Sequence, residues 1–230
     1  MKTLALTLTI FFGILSSAGA IAQTAPSPAE IDGYSGLHRA AALNEAGIIR
    51  QLLKQGADID TRDGHGRTAL MVAAYLRHYD MARALIDAGA DVNALDADRY
   101  DVITIAAVAD DPEILRIVLE AGGDPTLVTS PYDGTALIAA AHLGHDEVVR
   151  ILIEAGAPLD HVNNLAWTAL IESIVLGDGG PRHVRSLQAI VEGGADVNLA
   201  DGRGVRPLTL ARQRGYDEMV QILESHGARP

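Results

Sequence analysis

Gly56-Ala-Asp-Ile-Asp60 returns along the chain as Gly89-Ala-Asp-Val-Asn93, Gly122-Gly-Asp-Pro125, Gly156-Ala-Pro-Leu-Asp160, Gly194-Ala-Asp-Val-Asn198 and Gly227-Ala228. The glycines stand 33, 33, 34, 38 and 33 residues apart. Self-similarity at so steady a period marks stacked supersecondary units, each too small to bury its own apolar face, and not one ordinary core. A second phrase follows each of the first five: Thr68-Ala-Leu70, Asp101-Val-Ile103, Thr135-Ala-Leu137, Thr168-Ala-Leu170 and Arg206-Pro-Leu208. Ser35-Gly-Leu-His38 precedes the first.

Between these phrases each unit decodes as a turn and two antiparallel helices. Asp63-Gly-His-Gly66 is turn chemistry, with glycines for positive φ. Thr68 is predicted to cap a short helix running through Tyr75, because its hydroxyl can accept from the unpaired amides of the first turn. Pro207 follows the cap position of the last unit, where a missing amide costs nothing. The second helices carry apolar residues at i, i+1, i+4 and i+5, as in Ile48, Ile49, Leu52, Leu53 and Val148, Val149, Leu152, Ile153. That stripe is wide enough to face neighbours on both sides. The phrase glycines then end these helices in the left-handed conformation.

Period and phrases together resemble the ankyrin-repeat family from about Ile31 to the C-terminus. The resemblance implies an all-α repeat solenoid of about six units, each a helix-turn-helix plus a β-hairpin-like finger. The expected units are residues 31–62, 63–95, 96–129, 130–162, 163–200 and 201–230. Polar residues replace apolar ones at both ends (Arg39, Gln51, Lys54 and Arg212, Gln213, Arg214, Glu224), as the terminal units of a solenoid require. The third unit departs most from the family pattern, with Arg99 at the turn glycine and Asp101 at the capping threonine, and is expected to be the least regular. Five extra residues lie between the helices of the fifth unit, around Leu176-Gly-Asp-Gly-Gly-Pro-Arg-His183.

Ahead of the repeats, Met1–Ala22 has the make-up of a secretory signal peptide. Lys2 is its charged start, Leu4–Ile14 its apolar run, and Ala18-Gly-Ala20 or Ala20-Ile-Ala22 its small-residue cleavage site. The apolar run falls short of the roughly 20 residues a membrane span needs. The expected product is therefore exported, periplasmic or secreted, and free of the membrane after cleavage. Residues 23–30 are expected to be a linker, since their prolines discourage a regular element.

Composition narrows the chemistry. A hydrophobic content of 48% permits a core, and an aromatic content of 4% makes that core aliphatic and alanine-rich. A formal charge of −12 argues against nucleic acid as partner. The absence of cysteine excludes disulfides and thiolate catalysis or metal binding. No His-Glu-x-x-His, Gly-x-Ser-x-Gly or phosphate-loop pattern occurs, so no catalytic residue, cofactor or metal is expected. His38 and the His142/His145 pair fall at positions where the family uses histidine structurally.

The resemblance also implies where a partner would bind. Ankyrin-like stacks present on a concave face the residue before each helix-opening threonine and the last residues of each first helix. Tyr34, Arg67, Tyr75, Tyr100, Tyr132, His142 and Trp167 fall in or beside these classes. Tyr, Trp and Arg dominate interface energies. The expected function is thus a non-catalytic, monomeric module that binds another protein. Exported bacterial members of the family include proteins supporting stress-defence enzymes and immunity proteins. The alternative is a small-ligand protein or enzyme using the 177–183 insertion, with Asp178, Arg182 and His183 as its polar groups.

Overall fold

The computed structural model describes residues 23–230, and the signal-peptide reading of residues 1–22 lies outside them. Six helix pairs follow one another. They are α2 (Gly36–Ala42) with α3 (Ile49–Lys54), α4 (Ala69–Tyr75) with α5 (Tyr79–Asp87), and α6 (Val102–Val108) with α7 (Pro112–Glu120). Then come α8 (Ala136–Leu143) with α9 (Asp146–Glu154), α10 (Ala169–Val175) with α11 (Pro181–Glu192), and α12 (Pro207–Arg214) with α13 (Asp217–Ser225). The first helices pack on one another as one layer and the second helices as another. The core between them is aliphatic and rich in alanine, including Ala40, Ala41, Ala73, Ala107, Ala140 and Ala141. Such small side chains let the short first helices approach closely.

The helix-opening residues do what their chemistry predicts. Thr68 accepts from the Met71 amide, Thr135 from Ile138 and Thr168 from Ile171. In the third unit Asp101 Oδ1 takes the same role, accepting from Thr104 N at 2.7 Å. Its two helices have 7 and 9 residues, the same as in the second unit, so the expectation of an irregular third unit is overturned. Arg99 fills the turn glycine's place by adopting φ +64. Irregularity lies elsewhere. A short 3-10 turn, Ala46–Ile48, precedes α3, and the one extra residue of the 34-residue spacing sits in the fourth finger, where Thr129 and Gly134 form a β-bridge.

The repeated phrase turns out to join one unit to the next. The side chains of Asp58, Asp91, Asp124 and Asp196 accept from the amide two residues on, closing a local turn. The last residue of the phrase reaches forward: Asp60 accepts from Asp91 N, Asn93 from Asp124 N, Asp160 from Asp196 N and Asn198 from Arg229 N, at 2.8–3.0 Å. Pro158 has no amide to donate, and the residue that would accept from it is Thr126 in place of Asp or Asn. Histidines join units as well. His38 Nε2 donates to the Arg67 carbonyl, His78 Nδ1 to Ala41 and His145 Nδ1 to Ala107.

Residues 23–27 of the expected linker are irregular, but its last three residues open a helix, α1 (Pro28–Gly33). Pro28 stands in its first turn, where proline is tolerated, and Ser27 and Glu30 form a capping box. The helix is held by Arg67, whose side chain is 1% exposed. Arg67 Nε donates to Asp63 Oδ2 at 2.7 Å, Nη1 to the Thr24 carbonyl at 3.0 Å, and Nη2 to Tyr34 Oη at 3.0 Å and to Glu30. Hydrogen bonds from Ser27, then the Arg67 contact, hold the Glu30 carboxyl down at about 2.

Candidate protein-binding face

Four of the fingers are each built on one acceptor at the base, and the fourth unit's finger is closed by the Thr129–Gly134 bridge instead. Asp63 Oδ1 accepts from His65 N and Arg67 N, Asp96 from Asp98 N and Tyr100 N, and Asp201 from Arg203 N and Val205 N. Asn163 Oδ1 does the same for Leu165 N and Trp167 N. Neighbouring fingers are tied backbone to backbone, through Ala97 N to His65 O, Ser130 N to Arg99 O and Asn164 N to Tyr132 O. A fixed rank of turns therefore lies beside the first helices.

This geometry corrects part of the expected surface. Tyr100 is 6% exposed and Arg67 is buried, so neither offers contact area. Arg67, Tyr100, Trp167 and Val205, which close these four fingers, have their amides tied to the base acceptor, and their side chains are buried or half-buried. Tyr34, Tyr75 and Trp167 are half-buried against the core. Tyr34 Oη donates to Asp63 Oδ2 at 2.7 Å, and burial pushes its hydroxyl pKa far up. Tyr75 has a buried hydroxyl with no hydrogen-bond partner among the described residues, and burial likewise raises it. Only Tyr132 and His142 of the seven are exposed.

What the face does expose is aliphatic. Leu43, Leu143 and Leu176 occupy the residue just beyond or at the end of a first helix, and Val108 the residue before it; all four are 37–45% exposed. Leu165 and Val162 on the fifth finger are exposed as well, next to Tyr132 on the fourth. Scattered exposed aliphatics are ordinary, but here they recur at the first-helix ends of units one, three, four and five, with half-buried Leu76 at that place in the second.

One buried acid interrupts this face. Glu172 on α10 is 3% exposed. Its Oε1 accepts from Asn163 Nδ2 at 2.9 Å, while Oε2 is buried with no hydrogen-bond partner among the described residues. His142 Nδ1, from the end of α8, stands 3.5 Å from Oε2. Burial raises the Glu172 carboxyl to about 7. Burial, with His183 nearby, pushes the His142 ring below its usual range.

The 177–183 insertion is packed against its neighbours. His183 bridges Asp178 Oδ1 at 2.7 Å and the His142 carbonyl at 3.0 Å, and Asp178 also accepts from Gly180 N. Arg182 reaches Asp110 and Asp146, and Arg185 shares Asp146. Tyr216 Oη donates to the Gly177 carbonyl at 2.9 Å. A Cβ at Gly179, whose φ is +71, would stand 2.5 Å from the Tyr216 ring. Asp178 and His183 are thus brought together, while Arg182 turns to Asp110 and Asp146, and all three are engaged within the chain. No group of three or more acidic or histidine side chains able to hold a metal occurs among the described residues.

A two-layer stack of helix pairs with a finger on each unit defines a repeat-solenoid class of binding scaffold. The chain belongs to the ankyrin-repeat family: the family model described as "Ankyrin repeats (3 copies)" matches residues 10–96 and 103–201. It is 37% identical over 190 residues to the ankyrin repeat protein YahD of Escherichia coli (strain K12), covering 82% of this chain and 94% of that one. Among solved structures it is similar to an ankyrin repeat domain from Acinetobacter baumannii AYE, with TM-score 0.80, 45% identity, and 84% and 98% of the two chains covered. It is also similar to the ankyrin repeat domain of Bcl-3, a member of the IkappaB family, with TM-score 0.75, 26% identity, and 86% and 88% covered. Ankyrin repeats are generally non-catalytic modules that bind proteins.

Proposed function

We propose that this protein is exported to the periplasm or beyond and holds one partner protein on the concave face formed by its fingers and first helices. The observation carrying this reading is the exposed row Leu43, Val108, Leu143 and Leu176, continued onto the fingers by Tyr132 and Leu165. A scaffold whose fingers are tied to one another loses little ordering entropy on binding. The partner would be a protein that functions in the same compartment, such as a stress-defence enzyme or a toxin to be neutralised. No helix among the described residues is long and apolar enough to cross a membrane.

The test is crosslinking in the periplasm followed by mass spectrometry, with wild type set against Leu143→Ser/Leu176→Ser. These side chains are 40% and 43% exposed, so their loss should leave the fold intact. A partner held by wild type and lost by the variant supports the reading. Equal capture by both would refute it. Cell fractionation with N-terminal sequencing checks export, which fails if full-length chain stays in the cytoplasm.

A further inference from the structure

Glu172 is out of place by the logic of its own repeat. The residue four past the helix opening is the exposed Arg39 in the capping first unit, then Val72 in the second, Ile105 in the third, Ala139 in the fourth and Leu210 in the sixth. The fold therefore needs nothing charged at this depth in the units past the first, and a buried acceptor left without a donor is destabilising. The finger beneath it has changed to match. Three finger bases use Asp (Asp63, Asp96, Asp201), whereas the fifth uses Asn163. An aspartate there would set two carboxylates side by side. The amide instead accepts from the finger through Oδ1 and donates to Glu172 through Nδ2.

One carboxylate oxygen remains without a donor. Among the described residues the only ionisable group within salt-bridge distance is His142, whose side chain is 47% exposed and whose Nδ1 lies 3.5 Å from Oε2. Arg214, on the next first helix, is committed to the Val175 carbonyl. Leu143 and Leu176, both exposed, follow His142 and end the helix that carries Glu172.

We propose that Glu172 is the anchor point for a cationic side chain of the partner, a lysine or arginine flanked by aliphatic residues, that enters as the His142 ring swings aside. The cation supplies the missing donor to Oε2, and its aliphatic neighbours cover Leu143 and Leu176. The chain's net charge of −12 favours the approach of such a segment. The anchor rests on the concave-face reading above and adds to it the chemistry of the partner.

A random-peptide display library panned against the purified protein tests this, with binding of enriched peptides measured on wild type, Glu172→Gln and Leu143→Ser/Leu176→Ser. Glutamine keeps the shape and the acceptor to Asn163, so the variant should fold. The expected result is peptides carrying Lys or Arg between aliphatic residues, bound about tenfold or more weakly by Glu172→Gln and weakened again by the leucine double variant. Peptides without a cation, weakened only by the double variant, would overturn the anchor and leave the face standing. Peptides indifferent to both variants would overturn the anchor and the face together.

Discussion

Replacing Glu172 by glutamine should make the protein more stable at neutral pH, and the gain should vanish in acid. Burial raises this carboxyl from 4.5 to about 7 in the folded protein. Between those values the folded chain holds a proton that the unfolded chain has lost, so the stability of wild type falls as pH rises through the window. A displacement of this size is worth about 3 kcal/mol when the window has been crossed, less whatever an ionised His142 returns. Below pH 4.5 both states are protonated and the contribution is nil. The gap between Glu172→Gln and wild type should therefore open from near zero at pH 4.5 to about 3 kcal/mol at pH 8. Urea denaturation followed by circular dichroism, at several pH values across the window, measures it directly. A gap that stays constant with pH, or a variant less stable than wild type at pH 8, would refute the assignment of a buried, underbonded acid.

Four further outcomes follow from the geometry. Arg67→Met removes the cation between the Asp63 and Glu30 carboxylates, leaving Asp63 only its bonds from Tyr34 and two backbone amides, and should cost about 3 kcal/mol in urea denaturation, with new protease cleavage between Thr24 and Tyr34. Glu30, held at about 2 against 4.5 when free, contributes stability that is present above pH 4.5 and lost as pH falls through 2. Amide protection factors in α1, taken against the intrinsic exchange rate at each pH, should fall over that range, and Glu30→Gln should abolish the dependence. Gly179→Ala forces a side chain into the Tyr216 ring at positive φ and should lower stability by about 2–3 kcal/mol; no change in the urea midpoint would contradict the packed insertion. Ala166 sits at φ +60, so Ala166→Gly should raise stability by about 0.5–1 kcal/mol, the relief of strain exceeding the added unfolded-state entropy.

Much of the fold was legible in the sequence because its determinants are local and recur. A threonine or aspartate at a helix opening, an aliphatic stripe and a terminating glycine act within a few residues of one another, and the period repeats the message. Even the departure at Asp101 kept its meaning, since a carboxylate caps a helix as a hydroxyl does. The linker at residues 23–30 was misread for a physical reason. The prolines do argue against regular structure in isolation, but Arg67, 37 residues beyond Glu30, supplies the tertiary contact that holds a helix there.

The site was legible in outline only. Position in the repeat pointed to the face of fingers and first-helix ends, yet it could not say which side chains there are buried and which exposed. Tyr100 and Tyr132 both belong to fingers, and one is buried while the other is exposed. The forward bonds from Asp60, Asn93, Asp160 and Asn198 were visible as a recurring Asp or Asn, without the partner that explains them. The His142–Glu172–Asn163 cluster gathers residues from two helices and a finger, and its one sequence trace is an acid at a position that the other units after the first fill with aliphatics. By itself the sequence determined the repeat, its helices and its caps, because those depend on neighbours along the chain. Only the tertiary structure decided which groups are buried, paired or left with an open valence for hydrogen bonding, because those depend on neighbours in space.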